Sequence, residues 1–374
     1  MNAQEPARLV QNTGAIRTLI DAIQGERCIA LDTEFHAERR YHPELMLVQL
    51  AVQSGETWVI DPLAVSLSAL STVLTEKEVL VHSGSQDLAI LERDIGATPT
   101  HSFDVQLAAG MVGLGHPTRL DTIVSTVLQA KMDKGSTLSN WAQRPLSPVQ
   151  ISYAAADVRV LFPLRAALET MLQERGRLEW AVEESHAMAK RAVSQAEVNQ
   201  TWSRWDIAPR LDSDTHKVMT VLFHWRDQQG RNKNQPAHFI LSDGLCLDIA
   251  RRKPRSLAAL AENRRIPQGL LKRLGKEIVG AVEWALDNEV TLPFIPSANE
   301  QQRAKALKLW TEARGAELGI AAGLLMSEQL ALEVARSGTA AISGWRSEAI
   351  GESLEQFLSG QTSIFMTEDG ATIR

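Results

Sequence analysis

Short apolar runs rich in β-branched residues alternate with helical stretches along the first part of the chain. Arg27-Cys-Ile-Ala-Leu-Asp-Thr-Glu34 predicts a strand that ends in acids. Leu45-Met-Leu-Val-Gln-Leu-Ala-Val52 and Thr57-Trp-Val-Ile-Asp61 predict two more, and Ser54-Gly55 between them suits a tight hairpin turn, so this part of the sheet is expected to be antiparallel. Glu78-Val-Leu-Val-His82 predicts a fourth strand, leading into a helix from about Ser85 to Asp94. From Val105 onward the periodicity is helical, including a long segment from about Ser147 to Glu174 with Pro145 and Pro148 at its start and Ser147 as N-cap. Strands first and helices after imply a mixed α/β layer structure.

Beyond Gln195 the pattern changes. Residues 211–290 read as helices only, punctuated by Gly230, Pro236, Gly244, Pro254 and Pro267. Thr291-Leu-Pro-Phe-Ile-Pro-Ser297 has no helical period and reads as a linker, and residues 298–374 are helical again. Each block opens with a helix carrying a tryptophan near its middle, Trp225 and Trp310, which suggests two small helical bundles in tandem. The expected organisation is therefore three parts: residues 1–195, 211–290 and 298–374.

Composition narrows the class. With 374 residues, 44% hydrophobic and 22% charged, the chain is expected to be a soluble multi-domain protein. No stretch approaches the roughly 18 to 20 apolar residues of a membrane span. The N-terminal residues carry no apolar run of the signal-peptide kind, so a cytoplasmic location and no membrane partner are expected. Cys28 and Cys246 stand far apart without metal-ligand spacing and read as reduced core thiols. The net charge of −6 argues against binding a polyanion through overall attraction. Its distribution says more: residues 1–200 hold 17 Lys and Arg against 24 acids, whereas residues 251–276 hold nine cations and one acid. An acidic half followed by a locally basic one suits a cation-binding unit joined to a polyanion-binding one, although a basic run is also what a solvated helix face looks like.

Three sets of residues could carry chemistry. Asp32-Thr-Glu34 ends the first predicted strand, and side chains two apart on a strand leave the sheet on one face. Two adjacent carboxylates are unfavourable unless a cation compensates them or a proton is shared. Asp87 falls in the first turn of a helix just after a strand, where the helix dipole tolerates an acid. Tyr153-Ala-Ala-Ala-Asp157 places a phenol and a carboxylate one helical turn apart on one face. Taken singly, each also has a structural explanation: a chance pair, an N-terminal helix acid, a core tyrosine.

Their order resembles the DEDD exonuclease superfamily, in the subgroup with tyrosine in the third motif. The surrounding words narrow the likeness: Phe35, Val48-Gln-Leu50, Asp61-Pro-Leu63, Phe103-Asp-Val-Gln106, Trp141, Arg144-Pro-Leu-Ser147 and Val158. Together they resemble the ribonuclease D family. The block 211–290 is similar to the helical domain (HRDC type) shared by RecQ-type helicases and that family, and 298–374 to a second such domain. The resemblance implies an RNase H-like exonuclease domain followed by two helical nucleic-acid-binding domains. It also implies a 3′→5′ exoribonuclease with two divalent cations per site, Mg²⁺ or Mn²⁺. On the family pattern Asp32 would bridge both ions, Glu34 and Asp157 would complete the water-activating site, and Asp87 would hold the second ion through water. Tyr153, with a phenol pKa near 10, is a poor base at neutral pH and would orient the attacking water. Hard cations prefer such oxygen donors. Phe35, Gln106, Arg251, Arg252 and Lys253 are the candidate substrate-binding residues. The implied partner is RNA with a single-stranded 3′ end, transfer-RNA precursors above all, acted on by a monomer. The sequence departs from the family between Lys134 and Trp141, where an arginine and an acid usual near the RNA end are replaced.

Other readings are weaker. Gly269-Leu-Leu-Lys-Arg-Leu-Gly275-Lys276 has five residues between its glycines, no Ser/Thr after the lysine and no preceding strand, so it is no phosphate loop. His36, His82 and His101 do not form a ligand pair. Most of the nine tryptophans are expected in helical cores rather than as base-stacking platforms. The four acids do not distinguish RNA from DNA, which leaves a 3′→5′ DNA exonuclease open. A non-catalytic RNA-binding scaffold would be expected to lack a carboxylate.

Overall fold

The computed structural model describes residues 6–97, 99, 101–132, 140–194, 201–368 and 370–374. The altered family segment from Lys134 to Ser139 lies outside the described residues. By compactness the chain divides into two units. One comprises residues 1–36, 45–194 and 305–374, the other residues 37–44 and 195–304.

The first unit is built on six strands, β1 (Arg8–Val10), β2 (Cys28–His36), β3 (Glu44–Ala51), β4 (Thr57–Ile60), β5 (Glu78–Val81) and β6 (His101–Asp104), in the order β1-β4-β3-β2-β5-β6. As the Ser54-Gly55 turn predicts, β3 and β4 pair antiparallel, with Leu50 opposite Trp58. The strands β1 with β4, β2 with β5, and β5 with β6 run parallel, which places β2 in the interior of the sheet. Nearly every residue of β3 and β4 is buried, which is why those runs read as continuous apolar stretches rather than alternating ones. Helix Pro148–Arg159 lies over this part of the sheet, where Ala154 and Ala155 pack with Met46, Leu47 and Val59. Small residues on the helix allow that close approach.

Three sequence expectations need correction. The segment from Ser147 to Glu174 is two helices, Pro148–Arg159 and Leu161–Gln173, because Pro163 lacks an N–H and its ring would meet the carbonyl of Arg159 in a continuous helix. The strands β1 and β6 escaped notice, being only three and four residues long. The block 298–374 is not helical throughout: Ile364–Thr367 and Gly370–Ile373 pair as an antiparallel hairpin.

The compact division also cuts across the tripartite reading of the sequence, since residues 305–374 group with the sheet. The reason is visible at Glu184, a buried acid on helix Leu178–Val193. It accepts hydrogen bonds from Trp345 Nε1 at 2.9 Å and Arg346 at 2.6 Å, while Trp180 stacks on Trp345.

The second unit is helical. Ser213–Lys233 and Gln268–Asp287 are its long helices, with Asp243–Arg252 and two shorter ones between, around a core that includes Trp202, Met219, Phe223, Ile249 and Ile278. The excursion 37–44 belongs to it: Tyr41 donates to Asp227 at 2.7 Å, and the N–H groups of Tyr41 and His42 both donate to Asn234 Oδ1.

Candidate active site: an acidic cluster on an interior strand

The acids of β2 lie beyond the stretch paired with β5, Cys28–Ala30, on a strand that does not end at Glu34 but runs on to His36. Asp32 and Glu34 are half-buried on one face, and Thr33 between them is buried. The helix Pro148–Arg159 brings Asp157 to the same place. Carboxylate oxygens of Asp32, Glu34 and Asp157 lie within 4.8 Å of one another.

This helix is positioned at its first turn. Ser147 Oγ accepts from Gln150 N while Gln150 Oε1 accepts from Ser147 N, a reciprocal cap that fixes where the helix starts. The preceding chain is held by Arg144, whose guanidinium grips the buried Asp61 with two contacts of 2.6 and 2.7 Å and donates to Met46 O and Trp141 O. Burial would push the Asp61 carboxyl up, but the hydrogen bonds from Arg144 and Gln11 outweigh it and hold the group below its ordinary value. The words Asp61-Pro-Leu63 and Arg144-Pro-Leu-Ser147 are thus two halves of one structural clamp.

No such compensation reaches the cluster. Asp32, Glu34 and Asp157 have no ion-pair partner among the described residues. Burial, followed by the charges of Asp87, Asp157 and Glu34, pushes Asp32 well above the carboxylate range. Burial and then Asp157 and Asp87 raise Glu34 to about 8, and burial raises Asp157 to about 7. Three carboxyl groups this close cannot all ionise near neutral pH unless a positive charge joins them. The donor set is oxygen only and half-enclosed, which fits a hard divalent cation.

Asp87 stands beside this trio rather than in it. It sits in the first turn of helix Ser85–Ile95, is buried, and accepts a hydrogen bond from Thr33 Oγ1. Burial raises it to about 6, an effect that the Thr33 hydrogen bond moderates. Tyr153, half-buried one turn before Asp157, is held near Trp141 with ring centroids 6.2 Å apart. Burial, then the charges of Asp157, Glu34 and Asp32, raise its phenol to about 12, so it keeps its proton at neutral pH.

The remaining candidates are placed differently. Phe35 is half-buried next to Glu34 on β2. Gln106 is buried, and its amide donates to Thr118 O at 3.1 Å. In the helical unit Arg251 and Arg252 are exposed at the C-terminal end of helix Asp243–Arg252, and Lys253 caps it and pairs with Asp212 at 3.0 Å. Sequence reasoning missed Thr33, which sits inside the first motif, and the Arg144–Asp61 clamp, whose halves are 83 residues apart.

A sheet with an Asp-x-Glu strand, a strand–helix aspartate and a Tyr-x-x-x-Asp helix defines a metal-dependent 3′→5′ exonuclease, and residues 7–173 match the family model described as 3′-5′ exonuclease. Residues 215–282 match the HRDC domain model. The chain is 34% identical to the ribonuclease D of Xanthomonas oryzae pv. oryzae over 340 residues, covering 88% of this chain and 93% of that one. It is 31% identical to the ribonuclease D of Acidiphilium cryptum, covering 95% and 94%. The crystal structure of Escherichia coli RNase D superposes with a TM-score of 0.82 at 25% identity, over 95% of this chain and 99% of that one. The catalytic core of RRP6 from Trypanosoma brucei shares the fold, with a TM-score of 0.57, 20% identity, and 76% and 81% coverage. The chain belongs to the ribonuclease D family, and is a hydrolytic 3′→5′ exoribonuclease with an HRDC domain.

Proposed function

We propose that the enzyme trims single-stranded 3′ ends of structured RNAs, transfer-RNA precursors above all, releasing nucleoside 5′-monophosphates with the help of two divalent cations. The observation that carries this reading is the uncompensated cluster of Asp32, Glu34 and Asp157, with Asp87 beside it. The Escherichia coli relative is described as an exoribonuclease involved in structured RNA processing, which supports the substrate class.

Asp32, Glu34 and Asp157 would hold one cation, with Asp32 shared toward a second that Asp87 helps to hold. When bound, Mg²⁺ or Mn²⁺ supplies activation of water and stabilisation of the departing 3′-oxygen. Tyr153 keeps its proton and orients the attacking water by hydrogen bonding. Phe35 borders the acids and would stack on the terminal base, and Gln106 would contribute to RNA contact. Arg251 and Arg252 would bind phosphates of the RNA body, since neutralising each phosphate releases counterions, while Lys253, paired with Asp212, would fix the end of their helix. The enzyme would work as a monomer in the cytoplasm.

The test is incubation of the purified chain with 3′-extended transfer RNA and with a DNA of matched sequence, with and without Mg²⁺ or Mn²⁺. Metal-dependent shortening of the RNA to 5′-mononucleotides is expected. Preferential degradation of the DNA would replace the substrate class, and shortening without added metal in a chelator would remove the cations from the reading.

A further inference from the structure

We propose that Asp104 is a positioning residue for Asp87, acting by latching the strained turn Ser83-Gly84 from which the Asp87 helix begins. The inference rests on the two-cation reading above, since it concerns the acid assigned to the second ion.

The turn is unusual on its own. Ser83 is not glycine, yet its φ is 58°, in the left-handed region where a side chain crowds the following carbonyl. Gly84 follows, and a Cβ there would stand 2.5 Å from Val81, so no other residue fits. Its φ of −74° shows that the glycine serves close approach rather than a left-handed turn. Three residues later comes Asp87.

Asp104 holds this turn from the next strand. Val81 and Asp104 are register partners on β5 and β6, so the aspartate lies directly beside the end of β5. Its Oδ1 accepts from Ser83 N at 3.0 Å and Gln106 N at 2.8 Å, and its Oδ2 accepts from Gly84 N at 3.0 Å. The carboxylate is 2% exposed. It has no ion-pair partner among the described residues, so three backbone dipoles carry its compensation. Asp104 is itself fixed, because its N–H donates to Ser185 Oγ at 3.0 Å. Through Gln106 N the carboxylate also caps its own helix, Val105–Met111, and through Ser83 N and Gly84 N it latches the strained turn to that fixed point.

An amide in place of this carboxylate keeps the shape but turns one acceptor into a donor, aimed at the N–H of buried Gly84. The turn then relaxes and carries Asp87 away from Thr33 and Asp32. Outer-shell partners of metal ligands typically change metal affinity by about 10–100-fold.

The experiment is Mn²⁺ titration of the full, metal-stripped chain, read by calorimetry and by electron paramagnetic resonance of free Mn²⁺. Asp104→Asn should weaken Mn²⁺ binding by about 10–100-fold, as Asp87→Asn should, while near-ultraviolet circular dichroism stays that of the wild type. Ser83 is exposed, so Ser83→Gly removes the left-handed strain without touching the core. The double variant Asp104→Asn with Ser83→Gly should recover at least part of the lost affinity. Ser83→Val, which strains the same turn from outside and leaves Asp104 intact, should weaken Mn²⁺ binding as well, and it serves if Asp104→Asn does not fold. Wild-type Mn²⁺ binding by folded Asp104→Asn or by Ser83→Val overturns the proposal, as does absence of recovery in the folded double variant. Full Mn²⁺ binding by Asp32→Asn would instead remove the two-cation reading. Loss in Asp32→Asn and Asp87→Asn with retention in Asp104→Asn removes this inference alone.

Discussion

Two groups of enclosed acids in the same compact unit are treated in opposite ways. Glu184 is gripped by Arg346 at 2.6 Å and Arg191 at 2.8 Å and accepts from the Trp345 indole, and Asp61 is gripped by Arg144. Burial would raise Glu184, but the hydrogen bond and charge of Arg346 outweigh it and hold the group below the ordinary value. Asp32, Glu34 and Asp157 have no ion-pair partner among the described residues, and all are raised. Asp61 and Glu184 are the more deeply buried, whereas Asp32, Glu34 and Asp157 are half-buried, so depth of burial does not mark the uncompensated acids. The supply of positive charge does. Acids that the chain neutralises itself tie segments together, whereas acids left uncompensated weaken the fold until an external cation arrives.

The largest effect that could break this contrast is at Asp32. Asp32→Asn or Asp157→Asn should lower turnover by roughly 10²–10³-fold or more, the size of loss seen when one charge-stabilising group leaves an active site. The same variants should melt higher than the wild type in chelator, because a repelling charge is gone. Wild-type turnover at saturating metal, or a lower melting temperature in chelator, would remove the site from the uncompensated class. By contrast, Arg346→Met should lower stability by roughly 2–3 kcal/mol, below the 3–5 kcal/mol of fully buried pairs because Arg191 remains, and should leave Mn²⁺ affinity unchanged.

Next in size is Tyr153→Phe. With the proton held up to about 12, the phenol donates and accepts hydrogen bonds but does not serve as a base. Removing its hydroxyl should slow hydrolysis by about 10–10²-fold, the lower part of the range for a group that assists proton movement. Mn²⁺ affinity should be retained, and its calorimetric loss would make Tyr153 part of the metal-holding structure instead.

The two acid groups should also answer pH with opposite signs. Glu34, Asp157 and Asp87 have folded values raised to about 8, 7 and 6. The folded chain therefore holds protons that the unfolded chain releases near pH 4. Their contribution is fully favourable below about pH 4 and is lost as pH rises toward about 8. Glu184 and Asp61 are lowered, so theirs is present above the ordinary carboxylate range and lost as pH falls through it. Melting temperature in chelator should thus drop between about pH 5 and 8, by on the order of 5–10 °C, and millimolar Mn²⁺ should flatten that slope. An identical slope with and without Mn²⁺ would mean that these acids do not bind it.

How much of this was legible in the sequence depends on separation along the chain. Asp32-Thr-Glu34 and Tyr153-Ala-Ala-Ala-Asp157 are local, so strand and helix periods alone put each pair on one face, and the family order of the motifs joined them. The capping box at Ser147 and Gln150 was also local, and Ser147 with the flanking Pro145 and Pro148 marked the helix start. Arg144 with Asp61, Glu184 with Arg346, and Asp104 with Ser83 and Gly84 join residues that no short period connects. A fragment ending near Gln195 looks autonomous in the sequence, yet it would strip Trp345 and Arg346 from buried Glu184. Its instability is therefore the expected outcome, measurable as loss of a cooperative melt.

The smallest expected effect concerns the helical unit, where cations rather than acids are in excess. Several of the basic residues between 251 and 276 are already paired: Lys253 with Asp212, Arg255 with Asp287, and Arg265 with Asp248. Arg251 and Arg252 are exposed and have no ion-pair partner among the described residues, so they remain available to phosphates. Reversing Arg251, Arg252 and Lys253 to glutamate should weaken RNA binding several-fold. The dependence of log affinity on log salt should flatten by about 1.4–1.8, the share of two phosphate contacts at roughly 0.7–0.9 each, because Lys253 is spent on Asp212. Turnover at saturating RNA should survive, since none of the three belongs to the acid cluster. Affinity measured against salt for the wild type and the triple variant decides the matter: superimposable slopes would mean that this stretch is a solvated face, and that RNA is held elsewhere.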